Sequence, residues 1–145
     1  RGLTLSDNVL YICGGFPLED YNPDGSLHGA AIQALDPATG KILWSSSPNE
    51  QVKLDSLSAD LLPASPLVVG NSVFVATRLA AQTGKNENIL FALNKQDGKV
   101  KWNLQLWGGK TIGGAGAYPS APIVSGDTLY IISGNEMLYA ISYAD

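Results

Sequence analysis

Cysteine, histidine and clustered basic residues are what this 145-residue chain has least of. Its one cysteine, Cys13, rules out a disulfide within the chain, a cysteine-based zinc site and haem attachment through C-x-x-C-H. Cys13 ends the apolar run Val9-Leu10-Tyr11-Ile12-Cys13, where a free thiol packs as a small hydrophobe. The one histidine, His28, has no Ser or Cys nucleophile pattern beside it and reads as a surface or packed residue rather than a general base. Lysine and arginine are scattered along a chain of net charge −4, with no basic stripe, so nucleic acid is not an expected partner. No apolar run approaches the ~20 residues that a membrane-spanning helix needs. The chain opens on Arg1-Gly2-Leu3 and offers no targeting segment from which a compartment can be read. What is abundant is globular: 45% hydrophobic residues against 15% charged.

The positive signal is internal repetition. Three apolar segments follow short polar turns: Asp7 to Ile12 (DNVLYI), Asn71 to Val75 (NSVFV) and Asp127 to Ile131 (DTLYI). Their β-branched and aromatic content reads as strand. Downstream of the first two lie Ala34 to Trp44 (ALDPATGKILW) and Ala92 to Trp102 (ALNKQDGKVKW). A third copy starts at Ala140 as AISYAD and breaks off before its glycine and tryptophan. Ser65-Pro66-Leu67 and Ser120-Ala121-Pro122 lead into the second and third units; the first starts at Arg1-Gly2-Leu3-Thr4-Leu5 without that lead-in.

The tryptophans Trp44 and Trp102 lie 58 residues apart, room for four short strands per unit. The pattern predicts strands at 2–5, 8–13, 31–36 and 41–47, then 65–69, 72–76, 89–94 and 99–105, then 121–125, 128–133 and 137–142. Gly70-Asn71 and Gly126-Asp127 are hairpin turns, and Gly40 and Gly98 supply positive φ in the turns before each tryptophan strand. Leu54, Leu57 and Leu61 have helical spacing, which predicts one or two turns over 54–62. Four-stranded units repeated along a chain are the mark of a β-propeller. The expected fold class is therefore all-β: two and a half to three antiparallel four-stranded blades, with blade 1 at about 1–47, blade 2 at about 64–105 and an incomplete blade 3 at about 119–145.

ALDPATGKILW resembles the tryptophan-docking motif A-x-D-x-x-T-G-x-x-x-W of PQQ-repeat propellers. Ala34, Asp36, Thr39, Gly40 and Trp44 all match. The second copy keeps Ala92, Gly98 and Trp102, with Asn94 and Asp97 where Asp and Thr are usual. The resemblance covers nearly the whole chain. It implies that each indole packs between neighbouring blades, that the remaining blades of the same propeller are partners, and that the protein is periplasmic or otherwise extracytoplasmic. Fold alone does not assign activity.

Strand alternation puts two sets of connections on opposite faces. One set is short; the other, at about 14–30, 48–64, 77–88 and 106–120, is long and is the expected site for a protein or small-molecule ligand. In the first long loop Asp20, Asn22 and Asp24, followed by Gly25, match the oxygen ladder of a calcium loop, but His28 and Ala31 stand where later ligands belong. The same residues also read as a solvated Pro-Asp-Gly turn. The stretch Gly108 to Gly116 lacks the G-x-x-x-x-G-K-[ST] order of a phosphate loop and reads as a flexible connection near Trp107, Lys110 and Tyr118.

Two functions fit: a binding or assembly scaffold that needs no cofactor of its own, or a segment of a PQQ- and calcium-dependent alcohol dehydrogenase. For the second, Arg1-Gly2-Leu3 resembles the opening of an early blade in those enzymes, and Gly134-Asn135 the end of their calcium-binding G-T-G-N segment. Against it, the vicinal cysteines that pack on PQQ are absent, and Ala80-Ala81-Gln82 stands where a calcium-binding glutamate is usual. The scaffold reading is the stronger. No catalytic residue is expected in this segment itself.

Overall fold

The computed structural model describes residues 2–14, 32–52, 59–60, 64–80, 86–106 and 118–143. They form three antiparallel sheets. The first contains β1 (Gly2–Ser6), β2 (Val9–Cys13), β3 (Ile32–Leu35) and β4 (Ile42–Ser46), paired in chain order. A single helical turn, α1 (Pro48–Gln51), follows. The second sheet takes β6 (Leu67–Val69), β7 (Ser72–Ala80), β8 (Asn86–Asn94) and β9 (Val100–Leu106), with the two-residue β5 (Ala59–Asp60) beside β6 on the same edge of β7. The third contains β10 (Ile123–Ser125), β11 (Thr128–Ile132) and β12 (Leu138–Ser142). The chain is a β-propeller segment.

The sheets stack face to face because side chains alternate along each strand. Val73, Val75, Ile89, Phe91 and Leu93 of the middle sheet pack against Tyr11, Cys13, Ile32 and Ala34 of the first. Phe74, Ala76, Leu90 and Ala92 point the other way, onto Leu129 and Ile131 of the third. The middle sheet is thus buried on both faces, which is why SVFVA and ILFAL read as unbroken apolar runs rather than alternating ones. The end faces are open. Leu3 and Leu5 of the first sheet are each 63% exposed, as is Ile123 of the third, where Leu138 reaches 65%.

Two expectations change. Residues 77–88 are not a long loop, since β7 runs to Ala80 and β8 starts at Asn86. Thr77 and Asn88, polar in sequence, are fully buried strand residues in this hairpin, so polarity there marks buried hydrogen bonding rather than a loop. Ala81 and Gln82 lie outside the described residues. The helix expected over 54–62 is met by a strand at Ala59–Asp60, with residues 53–58 and 61–63 outside the described set; the helical turn comes earlier, at α1.

The turns between the first two strands of each sheet align by register. Ser6 pairs with Val9, Val69 with Ser72 and Ser125 with Thr128. Asp7 therefore occupies the position of Gly70 and Gly126, and Asn8 that of Asn71 and Asp127. All three first positions have positive φ, 46° at Asp7, 53° at Gly70 and 56° at Gly126. Aspartate tolerates that region better than most side chains, so it substitutes for glycine in the turn.

Candidate functional site

The best-defined constellation among the described residues is the seam between the first and second sheets at the turns that carry the repeated motif. In the first copy, Asp36 folds the turn. Its carboxylate accepts the Ala38 N–H and the Thr39 hydroxyl, each at 2.8 Å, while Thr39 Oγ1 accepts the Lys41 N–H at 3.3 Å. The backbone closes with Gly40 N–H donating to Asp36 O, and Gly40 takes φ +71°. The second copy builds the same turn from other residues. Asn94 Oδ1 accepts the Gln96 N–H, and Asp97 Oδ1 accepts the Lys99 N–H as Thr39 accepts that of Lys41. These backbone donors hold the Asp36 and Asp97 carboxyls below the usual aspartate range.

The alanine and tryptophan of each motif sit in one cross-strand row. Tyr11 pairs with Ala34, and Ala34 with Trp44; Phe74 pairs with Ala92, and Ala92 with Trp102. Alanine leaves room for the two flanking rings to meet across it, at 6.0 Å between Tyr11 and Trp44 and 5.8 Å between Phe74 and Trp102. Both alanines are fully buried.

Trp44 then reaches the next sheet. Its Nε1–H donates to Lys95 O at 2.9 Å, and its six-membered ring lies against Gly98. A Cβ at Gly98 would come within 2.5 Å of Trp44 Cε3, whereas one at Gly40 would meet open space. Below the indole, Ser46 Oγ donates to Gly98 O at 2.6 Å. At the rim, Lys95 Nζ pairs with Asp7 Oδ2, and this ammonium lowers the Asp7 pKa. Tyr11 is pushed up by burial. Thr4 Oγ1 donates to Pro66 O along the same seam. Sequence reading missed Ser46, Lys95, Asp7 and Gln51; no motif flags them, because their partners are backbone atoms or a charge in the next repeat.

The second seam is simpler. Tyr143 meets Phe74 edge-on at 5.2 Å. Asn88, between the middle and third sheets, accepts the Gly134 N–H at 2.6 Å, and its Nδ2 is buried without a hydrogen-bond partner among the described residues. Asn135 closes its own hairpin: its Oδ1 takes the Ser133 hydroxyl and, at 3.3 Å, the Met137 N–H. Its carbonyl oxygen is committed to the turn. Cys13 is buried, and desolvation pushes its thiol up to about 12, far from a working nucleophile. No group of three or more His, Cys, Asp or Glu placed to hold a metal occurs among the described residues. Asp20, Asn22, Asp24, His28, Trp107 and Lys110 lie outside them.

This repeat geometry agrees with what comparison with known proteins finds. A family model described as outer membrane protein assembly factor BamB matches residues 4–145. The chain belongs to this PQQ-repeat family. It is 29% identical over 115 residues to the outer membrane protein assembly factor BamB of Yersinia pestis, an alignment covering 79% of this chain and 25% of that protein. The chain thus spans about a quarter of that relative's length. Among solved structures, a europium-containing methanol dehydrogenase superposes with TM-score 0.52 at 16% identity, over 96% of this chain and 24% of the enzyme. At that identity the likeness shows the fold alone. BamB from Moraxella catarrhalis aligns at 14% identity and TM-score 0.30, over 99% of this chain and 58% of that one. No helix among the described residues is long and apolar enough to cross a membrane.

Proposed function

We propose that this segment is part of a propeller that serves as an assembly or binding scaffold outside the cytoplasm, in the manner named for its BamB relatives. The observation that carries this reading is where the motif residues are spent. Ala34, Asp36, Thr39, Gly40, Trp44, Ala92, Gly98 and Trp102 build turns and a sheet-to-sheet seam, and Asn135 closes a hairpin. The indoles act as docking pieces between blades, and the sheets at 2–46, 67–106 and 123–142 are three successive blades. The remaining blades of the propeller are its first partners, and the long-loop face takes a protein or small-molecule ligand. Asp20, Asn22 and Asp24 are carried forward as calcium ligands on that face.

The alternative, a quinoprotein dehydrogenase, draws on a likeness of fold. One experiment separates the two. The intact protein, and an Asp24→Ala variant, are titrated with Ca²⁺ by calorimetry, then given PQQ and a primary alcohol while dye reduction is followed. The scaffold reading expects no alcohol-dependent reduction; turnover would replace it with the dehydrogenase. Identical isotherms for the two proteins would remove the calcium site and leave the turn.

A further inference from the structure

We infer that Gln51 is an amide clasp that locks the second blade to the first independently of Trp44. This role rests on the blade reading above, and it gives the start of the 48–64 connection a task other than ligand binding. Among the described residues β9 is the last strand of its sheet, so one side of its backbone has no strand neighbour there. Unpaired N–H and C=O groups on such an edge must be satisfied or left to water and to other chains.

Gln51 meets one such group, and a carbonyl of the turn just before it, with one side chain. Its Oε1 accepts the Val100 N–H at 2.8 Å, and its Nε2 donates to Gly98 O at 3.2 Å. A primary amide presents a donor and an acceptor side by side, as a neighbouring strand's peptide would. The Gln51 amide therefore stands in for a strand at the start of β9. Nε2 also donates to Ser46 Oγ at 2.8 Å, and Ser46 Oγ donates in turn to Gly98 O.

The clasp is itself held by local structure. α1 turns the chain back immediately after β4, with Gln51 N–H donating to Ser47 O and Val52 N–H to Pro48 O. Val52 packs onto the core shared by the first two sheets. Glutamine's length lets the amide reach the neighbouring sheet from this turn, and its neutrality lets it offer both a donor and an acceptor. Glutamate at neutral pH retains only the acceptor. The result is a second lock on the turn that also seats Trp44: one lock grips the turn through an aromatic ring, the other through paired hydrogen bonds to its backbone.

Amide hydrogen exchange on the intact protein tests this directly. In the native protein the Val100 amide is expected to be protected although it faces no strand. In Gln51→Ala it should exchange roughly five- to tenfold faster, while Phe91 in the core of β8 and the Trp44 emission spectrum stay unchanged. Gln51→Glu should restore Val100 protection, since the oxygen remains. A Val100 amide that exchanges freely in the native protein overturns the clasp whatever the variants do. So does unchanged Val100 exchange in Gln51→Ala. Failure of the blade reading has a different signature: Trp44 would be solvent-exposed in the unsubstituted protein.

Discussion

At the scale of single residues, each position of the motif has a separable physical reason. Ala34 and Ala92 are small so that rings can close over them, Asp36 is the internal acceptor of its turn, and glycine has two duties that the two copies divide unequally. Gly40 and Gly98 share a positive φ, but only Gly98 carries an indole. Backbone conformation alone should cost about 1–2 kcal/mol on substitution of such a glycine by alanine, and Gly98→Ala should cost about 3 kcal/mol or more, because that strain is joined by displacement of Trp44. Trp44→Ala should cost about 3–5 kcal/mol. Denaturant unfolding of both variants in the intact protein checks these costs; a Gly98→Ala cost no larger than the about 1–2 kcal/mol of backbone strain alone would remove the indole seat at Gly98.

At the scale of elements, the turns are where charge enters the stability of the fold. Asp7, Asp36 and Asp97 all have depressed pKa values, from the Lys95 ion pair in the first case and backbone N–H donors in the others. A carboxyl depressed in the folded state stabilises the protein above its unfolded pKa of about 3.9, and that contribution is lost as pH falls through the folded value. Stability should therefore decline on acidification below about pH 4. The triple variant Asp7→Asn, Asp36→Asn, Asp97→Asn should flatten that decline, as Asn94 already holds its turn without a charge. Thermal melts between neutral pH and acid check it, and an unchanged acid slope in the triple variant would count against the turn hydrogen bonds.

Strands and turns were legible in the sequence to different degrees. The repeat spacing and turn glycines placed all but the two-residue β5 within a few residues, because alternation, β-branched content and positive-φ positions are local signals. Residues 77–88 misled because Thr77 and Asn88 are polar yet buried, and burial depends on the adjoining sheet. Gln51 and Ser46 were invisible for a more basic reason: a side chain that binds backbone leaves no partner residue type to recognise.

At the scale of the whole molecule, the middle sheet shows what the end sheets lack. It buries both faces, whereas Leu3, Leu5 and Leu43 on one side, and Ile123, Ile132 and Leu138 on the other, present apolar surface to solvent. Large apolar faces of this kind mark contact surfaces. The chain spans about a quarter of its Yersinia pestis relative. We propose that in the intact protein this segment is three consecutive blades of a larger propeller, locked in series by Trp44 and its surroundings. An experimental structure of the full-length protein tests it most directly. The expected result is another four-stranded sheet packed on Leu3 and Leu5, another on Ile123 and Leu138, and the Trp44 indole lying on Gly98. Either apolar face found open to solvent, or Trp44 turned away from Gly98, would contradict it.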